Sequence, residues 1–338
     1  SGAGVVIGEA INECKAIAEK LDAPVCNGYQ HNDSFPGSHP LACGPLGYNG
    51  SKAAMELIAQ ADVVLALGTR LNPFSTLPGY GIDYWPKEAK IIQVDINPDR
   101  IGLTKKITVG ICGDAAKVAS QIMDLLSATA GDKGRGERKL AIHEANSNWR
   151  QTLAGMDHED DDPGTTWNED ARHRDPDLMS PRQAWRVLQS SLPDNAIISS
   201  DIGNNCAIGN AYPTFEQGRK YLAPGLFGPC GYGLPSIIGA KIARPNVPVV
   251  GFSGDGAFGI CMNEMTAVGR DEWPAITMVI FRNYQWGAEK RNTTLWYENN
   301  FVGTELNRNV SYAGIAEACG VEGIVVRTRK ELQTAIEN

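Results

Sequence analysis

Val249-Val250-Gly251-Phe252-Ser253-Gly254-Asp255-Gly256-Ala257-Phe258 runs from an apolar stretch into a tight Gly-Asp-Gly turn. A short apolar run ending at glycine reads as a buried strand, and Met262, Met265 and Val268 carry helical spacing after the turn. Strand, turn and helix in that order form half of a βαβ crossover, which points to an α/β fold with a mostly parallel sheet. Backbone N–H groups at such a helix start receive phosphate oxygens, and glycines let a ligand approach the main chain. Asp255 stands where a phosphate-bound cation would sit. Taken alone, Gly254-Asp255-Gly256 is an ordinary turn.

What changes the reading is Thr277-Met278-Val279-Ile280-Phe281-Arg282-Asn283, a second apolar strand that ends in an asparagine 28 residues after Asp255. That spacing is about one helix plus one strand of a crossover, so both oxygen-bearing side chains reach neighbouring strand ends, the ligand-binding edge of an α/β sheet. Mg²⁺ takes oxygen ligands in near-octahedral geometry and commonly keeps substrate phosphates among them. Asp255 and Asn283 would supply two positions, a diphosphate two more, and a nearby main-chain carbonyl another.

Outward from this segment the same alternation continues. Ala196-Ile197-Ile198-Ser199-Ser200 is a strand preceded by a helical pattern of Ala184, Val187 and Leu188. Nearer the start, Glu9 to Leu21 has helical spacing, and Ala61 to Gly68 and Lys90 to Ile96 are buried strands. Between them the character shifts, with the glycine-rich Gly131 to Gly136 and the acidic run His158 to Gly164. The acidic run reads as solvated surface, with cation or partner binding as the other reading. The expected organisation is therefore two doubly wound domains, 1–126 and 181–338, joined by a linker over 127–180. No short-period repeat or low-complexity tract is visible.

Composition narrows the classes of function. A net charge of −8 over 338 residues, with no concentrated basic face, argues against nucleic acid as a partner. No apolar run approaches the ~20 residues that cross a bilayer, so no membrane partner is expected. The eight cysteines include no C-x-x-C pair, which fits reduced thiols in a cytoplasm better than zinc or a disulfide scaffold. Ser1-Gly2-Ala3-Gly4 reads as the turn after a strand, and Lys330 to Ile336 as a helix without a cap, so the expectation is a piece of a longer chain.

The pairing of Gly254-Asp255-Gly256 with Asn283 resembles the diphosphate-binding motif of thiamine-diphosphate enzymes. That motif usually ends in two asparagines; here Arg282 takes the first position and Asn283 the second. The resemblance implies thiamine diphosphate and Mg²⁺ as cofactors, the metal held by Asp255, Asn283 and the carbonyl of Gln285. Gly254, Asp255, Gly256, Ala257 and Asn283 then line the cofactor. Gly228-Pro229-Cys230-Gly231-Tyr232-Gly233-Leu234-Pro235 resembles the segment beneath the cofactor in the acetolactate synthase group, which implies that Gly228 and Cys230 meet the aminopyrimidine through their backbones. Cys230 occupies the position that wedges the cofactor into a bent shape, where most relatives carry a larger apolar residue. Asp201-Ile202-Gly203-Asn204-Asn205 resembles a loop with further diphosphate contacts, implying Asn204 and Asn205. His39-Pro40-Leu41, Ala66 to Leu71 and Gln93 to Asn97 fall in the order of the family's central domain, which in some members binds FAD, in others an adenine nucleotide or nothing. FAD stays open.

Within the family, Phe281 to Asn292, Thr294-Leu295-Trp296, Asn300 to Leu306 and Gly225 to Cys230 are similar to the sulfoacetaldehyde acetyltransferases. This implies sulfoacetaldehyde and phosphate as substrates, acetyl phosphate and sulfite as products, and a homo-oligomer, dimer or tetramer. The carboxylate that activates the aminopyrimidine belongs, in that family, to an N-terminal domain, so no catalytic residue is assigned within this chain and the piece alone is expected to be inactive. Lys290 and Arg291 could meet a sulfonate or phosphate, or serve as surface charges. Glu264, inside the helix after the turn, reads as structural, with a catalytic acid as the other reading. Two alternatives remain: an acetolactate synthase or pyruvate oxidase acting on pyruvate, and a non-catalytic nucleotide-binding or regulatory module of the same fold.

Overall fold

The computed structural model describes residues 1–129, 135–158, 179–225, 227–270 and 272–337. Residues 159–164 of the acidic run, 131–134 of the glycine-rich stretch, and Leu226 lie outside them. The chain divides into two compact units, 1–153 with 210–221, and 154–209 with 222–338.

The first unit contains helices α1 (Ala3–Ile7), α2 (Ile11–Leu21) and α3 (Lys52–Ala59), strands β1 (Val25–Asn27), β2 (Ala42–Pro45), β3 (Val63–Leu67), β4 (Lys90–Asp95) and β5 (Val109–Cys112), then α4 (Ala115–Thr129). The start of α5 (Arg135–His158) also belongs here. β1 pairs with β2, and β3, β4 and β5 pair in sequence order, all parallel. Ile91 and Val94 of β4 are buried, as are Cys14, Ile17 and Ala18 on one face of α2. Ser51 caps α3 by accepting from the Ala54 N–H, a contact worth about 1 kcal/mol.

The carboxyl ends of these strands are tied together by main chain and one amide. Gln93 is buried, donating to the carbonyls of Thr69 and Arg100 and accepting from the Gly102 N–H, so its amide leaves no polar cost behind. Gly68 has a left-handed backbone (φ +58°), and a side chain there would lie 2.6 Å from the Val5 nitrogen. Burial lowers the His31 pKa to about 4, with the N-terminal ammonium and Arg70 adding to the effect.

Residues 210–221 close this unit through hydrogen bonds to the loop after β1. Asn32 donates to the carbonyls of Asn210 and Pro213, and Oδ2 of Asp33 accepts from the Lys220 and Tyr221 N–H groups. Ser38 donates to Glu216 from both its N–H and its hydroxyl. The span 127–180, expected as a linker, contains the 24-residue α5. Ile142, Ala145, Trp149 and Leu153 recur at helical spacing and are buried, and Trp149 packs against Tyr80 with ring centroids 5.7 Å apart.

The second unit holds α6 (Pro181–Ser191), β6 (Ile197–Ser200), α7 (Asn204–Gly209), α8 (Gly233–Ala243), β8 (Val249–Gly254), α9 (Asp255–Cys261), α10 (Met265–Val268), β9 (Thr277–Phe281), α11 (Gly287–Trp296), α12 (Tyr312–Ala318) and α13 (Arg329–Glu337). With β7 (Tyr221–Leu222) the sheet order is β7-β6-β8-β9, and the registered pairs β6–β8 and β8–β9 are parallel. Ser180 and Gln183 form a reciprocal capping box at the start of α6. From that helix Trp185 packs against Phe252 and Phe281, at centroid distances of 4.5 and 5.7 Å. Helix α8 covers β6 and β8. The fold is thus α/β with parallel sheets and interleaved helices. Among the described residues, no helix is long and apolar enough to cross a membrane.

Candidate functional site

Register determines what meets at the carboxyl edge of the second sheet. Ser200 lies opposite Phe252, and Gly254 opposite Phe281, so Asp201, Asp255 and Asn283 follow from three adjacent parallel strands. Each is the polar residue at the point where an apolar strand gives way to a turn.

Asp255 is 2% exposed. Its Oδ2 accepts from the Tyr284 N–H at 2.7 Å and its Oδ1 from the Gly256 N–H at 3.1 Å. Burial pushes the carboxyl above the ordinary range, and the N–H groups of Tyr284, Gly256 and Asn283 pull it back. Tyr312 donates its hydroxyl to the Asp255 carbonyl at 3.1 Å. These neutral donors fix the direction of both carboxylate oxygens without neutralising the group by a countercharge.

The amides gather around glycines. Asn283 is exposed, and its Oδ1 accepts from the Gln285 N–H at 3.2 Å. A side chain on Gly287 would lie 2.7 Å from Nδ2 of Asn283 and 3.2 Å from Nδ2 of Asn204, so both amides converge on that glycine. Asn205 is 7% exposed, with Oδ1 3.2 Å from where a Gly203 Cβ would stand and 3.6 Å from that of Gly254. Its Nδ2 is buried with no hydrogen-bond partner among the described residues. A buried donor left unpaired is costly, and an anionic oxygen beside it would remove that cost. Gln285 faces Glu305 in a short antiparallel bridge built from the Trp286 N–H to the Thr304 carbonyl and the Leu306 N–H to the Tyr284 carbonyl. That pairing does not spend the Gln285 carbonyl. Ala257 is buried in α9, and the Trp286 ring lies against Gly256, where an added Cβ would approach it to 2.8 Å.

The turn from Gly228 to Gly233 is anchored from below. Gly228 has φ +70°, a conformation glycine adopts freely. Asp201 is fully buried and accepts from the N–H groups of Ile202, Gly231 and Gly233, the last at 2.8 Å. Cys230 is accessible; partial burial, then the Asp201 and Glu289 carboxylates, push its thiol up. Lys290 pairs with Glu305 at 2.6 Å and stands over Phe301, so its charge is already answered. Glu264 is exposed and accepts from the Asn263 amide.

Among the described residues, no three His, Cys, Asp or Glu side chains gather as a metal site. A cation at this edge would therefore draw on one carboxylate, amide oxygen, main-chain oxygen and its ligand's own oxygens, a donor set that suits a hard ion such as Mg²⁺. The buried Asp255, the unpaired Asn205 donor and the crowding of amides over Gly287 fit a metal-bound diphosphate.

Sequence reasoning missed Asp201, Tyr284, Trp286, Gly287 and Tyr312. Asp201 and Gly287 had signals: the first follows its strand as Asp255 does, and the second is a glycine at a helix start four residues after Asn283. Tyr312, 57 residues from its partner, had none.

Comparison with known proteins gives two family models. The thiamine pyrophosphate enzyme C-terminal TPP binding domain matches residues 201–338, and the thiamine pyrophosphate enzyme central domain matches residues 1–122. The chain is 75% identical, over 99% of its length, to a probable sulfoacetaldehyde acetyltransferase of Rhizobium meliloti, of which it covers 57%. It is 72% identical, over its whole length, to the sulfoacetaldehyde acetyltransferase of Roseovarius nubinhibens, covering 56% of that protein. Against the acetolactate synthase large subunit of Corynebacterium glutamicum the identity is 28% over 99% of the chain, covering 51% of that protein. The chain thus spans somewhat over half the length of the curated relatives it matches.

Proposed function

We propose, from the premise that this chain belongs to the thiamine pyrophosphate enzyme family, that it supplies the central and diphosphate-binding parts of a sulfoacetaldehyde acetyltransferase. The reaction is sulfoacetaldehyde plus phosphate to acetyl phosphate plus sulfite, a step of organosulfonate breakdown. The substrate assignment is supported by relatives of that name at 70–75% identity, against 28% for an acetolactate synthase subunit. All eight cysteines are free, in keeping with a cytoplasmic enzyme, and the full-length protein works as a homo-oligomer.

The observation that carries the cofactor reading is the buried Asp255, fixed by the Tyr284 and Gly256 N–H groups beside the unpaired Asn205 donor. Asp255, the Asn283 amide and the Gln285 carbonyl would hold Mg²⁺, and Asn204 and Asn205 would donate to diphosphate oxygens. Gly254, Gly256 and Ala257 let the diphosphate reach the main chain. Asp201 anchors the turn that carries Gly228 and Cys230, which would meet the aminopyrimidine. When bound, thiamine diphosphate supplies the carbon nucleophile and electron sink. The chain's own task is to neutralise charge, orient the ligand and exclude water.

The test is product analysis on the full-length protein. Sulfite should leave sulfoacetaldehyde only with thiamine diphosphate and Mg²⁺ present, and acetyl phosphate should appear when phosphate is supplied. Efficient acetolactate formation from pyruvate with sulfoacetaldehyde inert would move the assignment to a pyruvate-using relative. Cofactor binding without turnover of either would favour a non-catalytic module.

A further inference from the structure

Arg282 stands where the related motif usually has an asparagine, and its guanidinium does work that an amide at that position cannot reach. The guanidinium carbon lies 4.5 Å from the Tyr284 ring centroid and 5.7 Å from that of Tyr312. Nη2 donates to the Arg308 carbonyl at 3.0 Å and also to the Val310 carbonyl. Arg308 adds a second cation 5.6 Å from the Tyr284 ring. The two aromatics under Arg282 are the two that grip Asp255: Tyr284 gives its N–H to the carboxylate, and Tyr312 its hydroxyl to the Asp255 carbonyl.

Tyr284 needs such a hold. Its backbone is left-handed at φ +59°, a conformation a bulky residue keeps only when its surroundings over-determine it. The Leu306 N–H on its carbonyl fixes one side of the peptide, and the cation–π stack fixes the ring. Released, residue 284 would relax toward negative φ and withdraw its N–H from Oδ2 of Asp255.

We propose that Arg282 is a positioning residue: by stacking on Tyr284 and Tyr312 and tying down the 308–310 main chain, it sets the orientation of the Asp255 carboxylate and thereby the affinity for a divalent cation bound to a diphosphate. This rests on the cofactor reading above.

The experiment compares wild type with Arg282→Gln, Arg282→Lys and Tyr284→Leu in the full-length protein, titrating thiamine diphosphate calorimetrically at several Mg²⁺ concentrations and recording melting curves with and without both. Arg282→Gln should weaken thiamine diphosphate binding by roughly tenfold or more, raise the Mg²⁺ needed for half-saturation, and shrink the melting shift produced by the ligands. Tyr284→Leu should do the same, and Arg282→Lys, which keeps the cation but not the fork, should fall between. A lower melting temperature without ligand, combined with unchanged affinities in the folded variants, would reduce Arg282 to a structural contact and overturn the proposal. Should Arg282→Gln fail to fold, the same affinities measured for Arg282→Lys and Tyr284→Leu decide between the two roles. Absence of Mg²⁺-dependent thiamine diphosphate binding in wild type would instead remove the cofactor reading itself.

Discussion

The two units build the same parallel arrangement and end their strands in opposite chemistry. At the carboxyl edge of the second sheet stand Asp201, Asp255 and Asn283, with amides crowded over glycine and one buried donor unpaired. At the corresponding edge of the first, Gly68 and Thr69 follow β3 with α1 pressed against Gly68, and Gln93 has every polar atom engaged. At the ends of β3 and β4 the polar groups answer one another, whereas the second edge sets a buried carboxylate beside a buried donor that has no partner among the described residues. The fold gives both the same opportunity, and only the residues at the strand ends decide which becomes a site.

The contrast is broken most directly at Asp255. Asp255→Ala should lower Mg²⁺-dependent affinity for thiamine diphosphate by about 10³-fold, ~4 kcal/mol, since the diphosphate would face the edge without its charged bridge. Calorimetry that finds wild-type affinity would dissolve the distinction between the edges. Next in size, Gly68→Ala should cost about 3 kcal/mol of stability, because its Cβ would lie 2.6 Å from the Val5 nitrogen on a left-handed backbone. Gly81→Ala, also at positive φ but with nothing within 4 Å, should cost only about 1 kcal/mol. Denaturant midpoints check both, and neither substitution should alter cofactor affinity.

A third effect belongs to the first unit alone. His31, with its folded pKa lowered to about 4, stays neutral in the native state while the unfolded chain takes up a proton below the ordinary histidine value. Its contribution is present above about pH 6.5 and is lost as pH falls toward 4, on the order of 2 kcal/mol. Midpoints for His31→Gln at pH 7 and pH 4.5 should therefore differ less than those of wild type; equal differences would mean that His31 is not what titrates. On binding, the smaller effect is Asn283→Ala, expected to weaken cofactor affinity about tenfold, as an exposed amide contributes one ligand among several. A loss matching that of Asp255→Ala would make the amide, not the carboxylate, the principal anchor.

What could be read from sequence was what the chain arranges locally. Strand, turn and helix around Asp255 lie within a few residues of one another, and a parallel crossover brings Asn283 alongside by geometry that spacing alone implies. The triad of N–H groups on Asp201, by contrast, comes largely from a turn some 30 residues away, and the Tyr312 hydroxyl from 57. Side-chain periodicity carries no trace of such contacts. Helix α5 was legible in principle, since Ile142, Ala145, Trp149 and Leu153 share a face, but its flanking glycine-rich and acidic stretches dominated the reading. The boundaries 1–126 and 181–338 likewise could not anticipate residues 210–221, which are held to the first unit by Asn32 and Asp33.

That last attachment sets an order on synthesis. A domain made first by the ribosome can usually fold while the rest is still being translated. Here the carboxylate of Asp33 receives its Lys220 and Tyr221 donors only after those residues have left the exit tunnel, well past β6 of the second unit. The first unit therefore cannot be completed when residue 153 emerges but only about 70 residues later, and a nascent chain halted before residue 220 would leave the Asp33 carboxylate without these two donors.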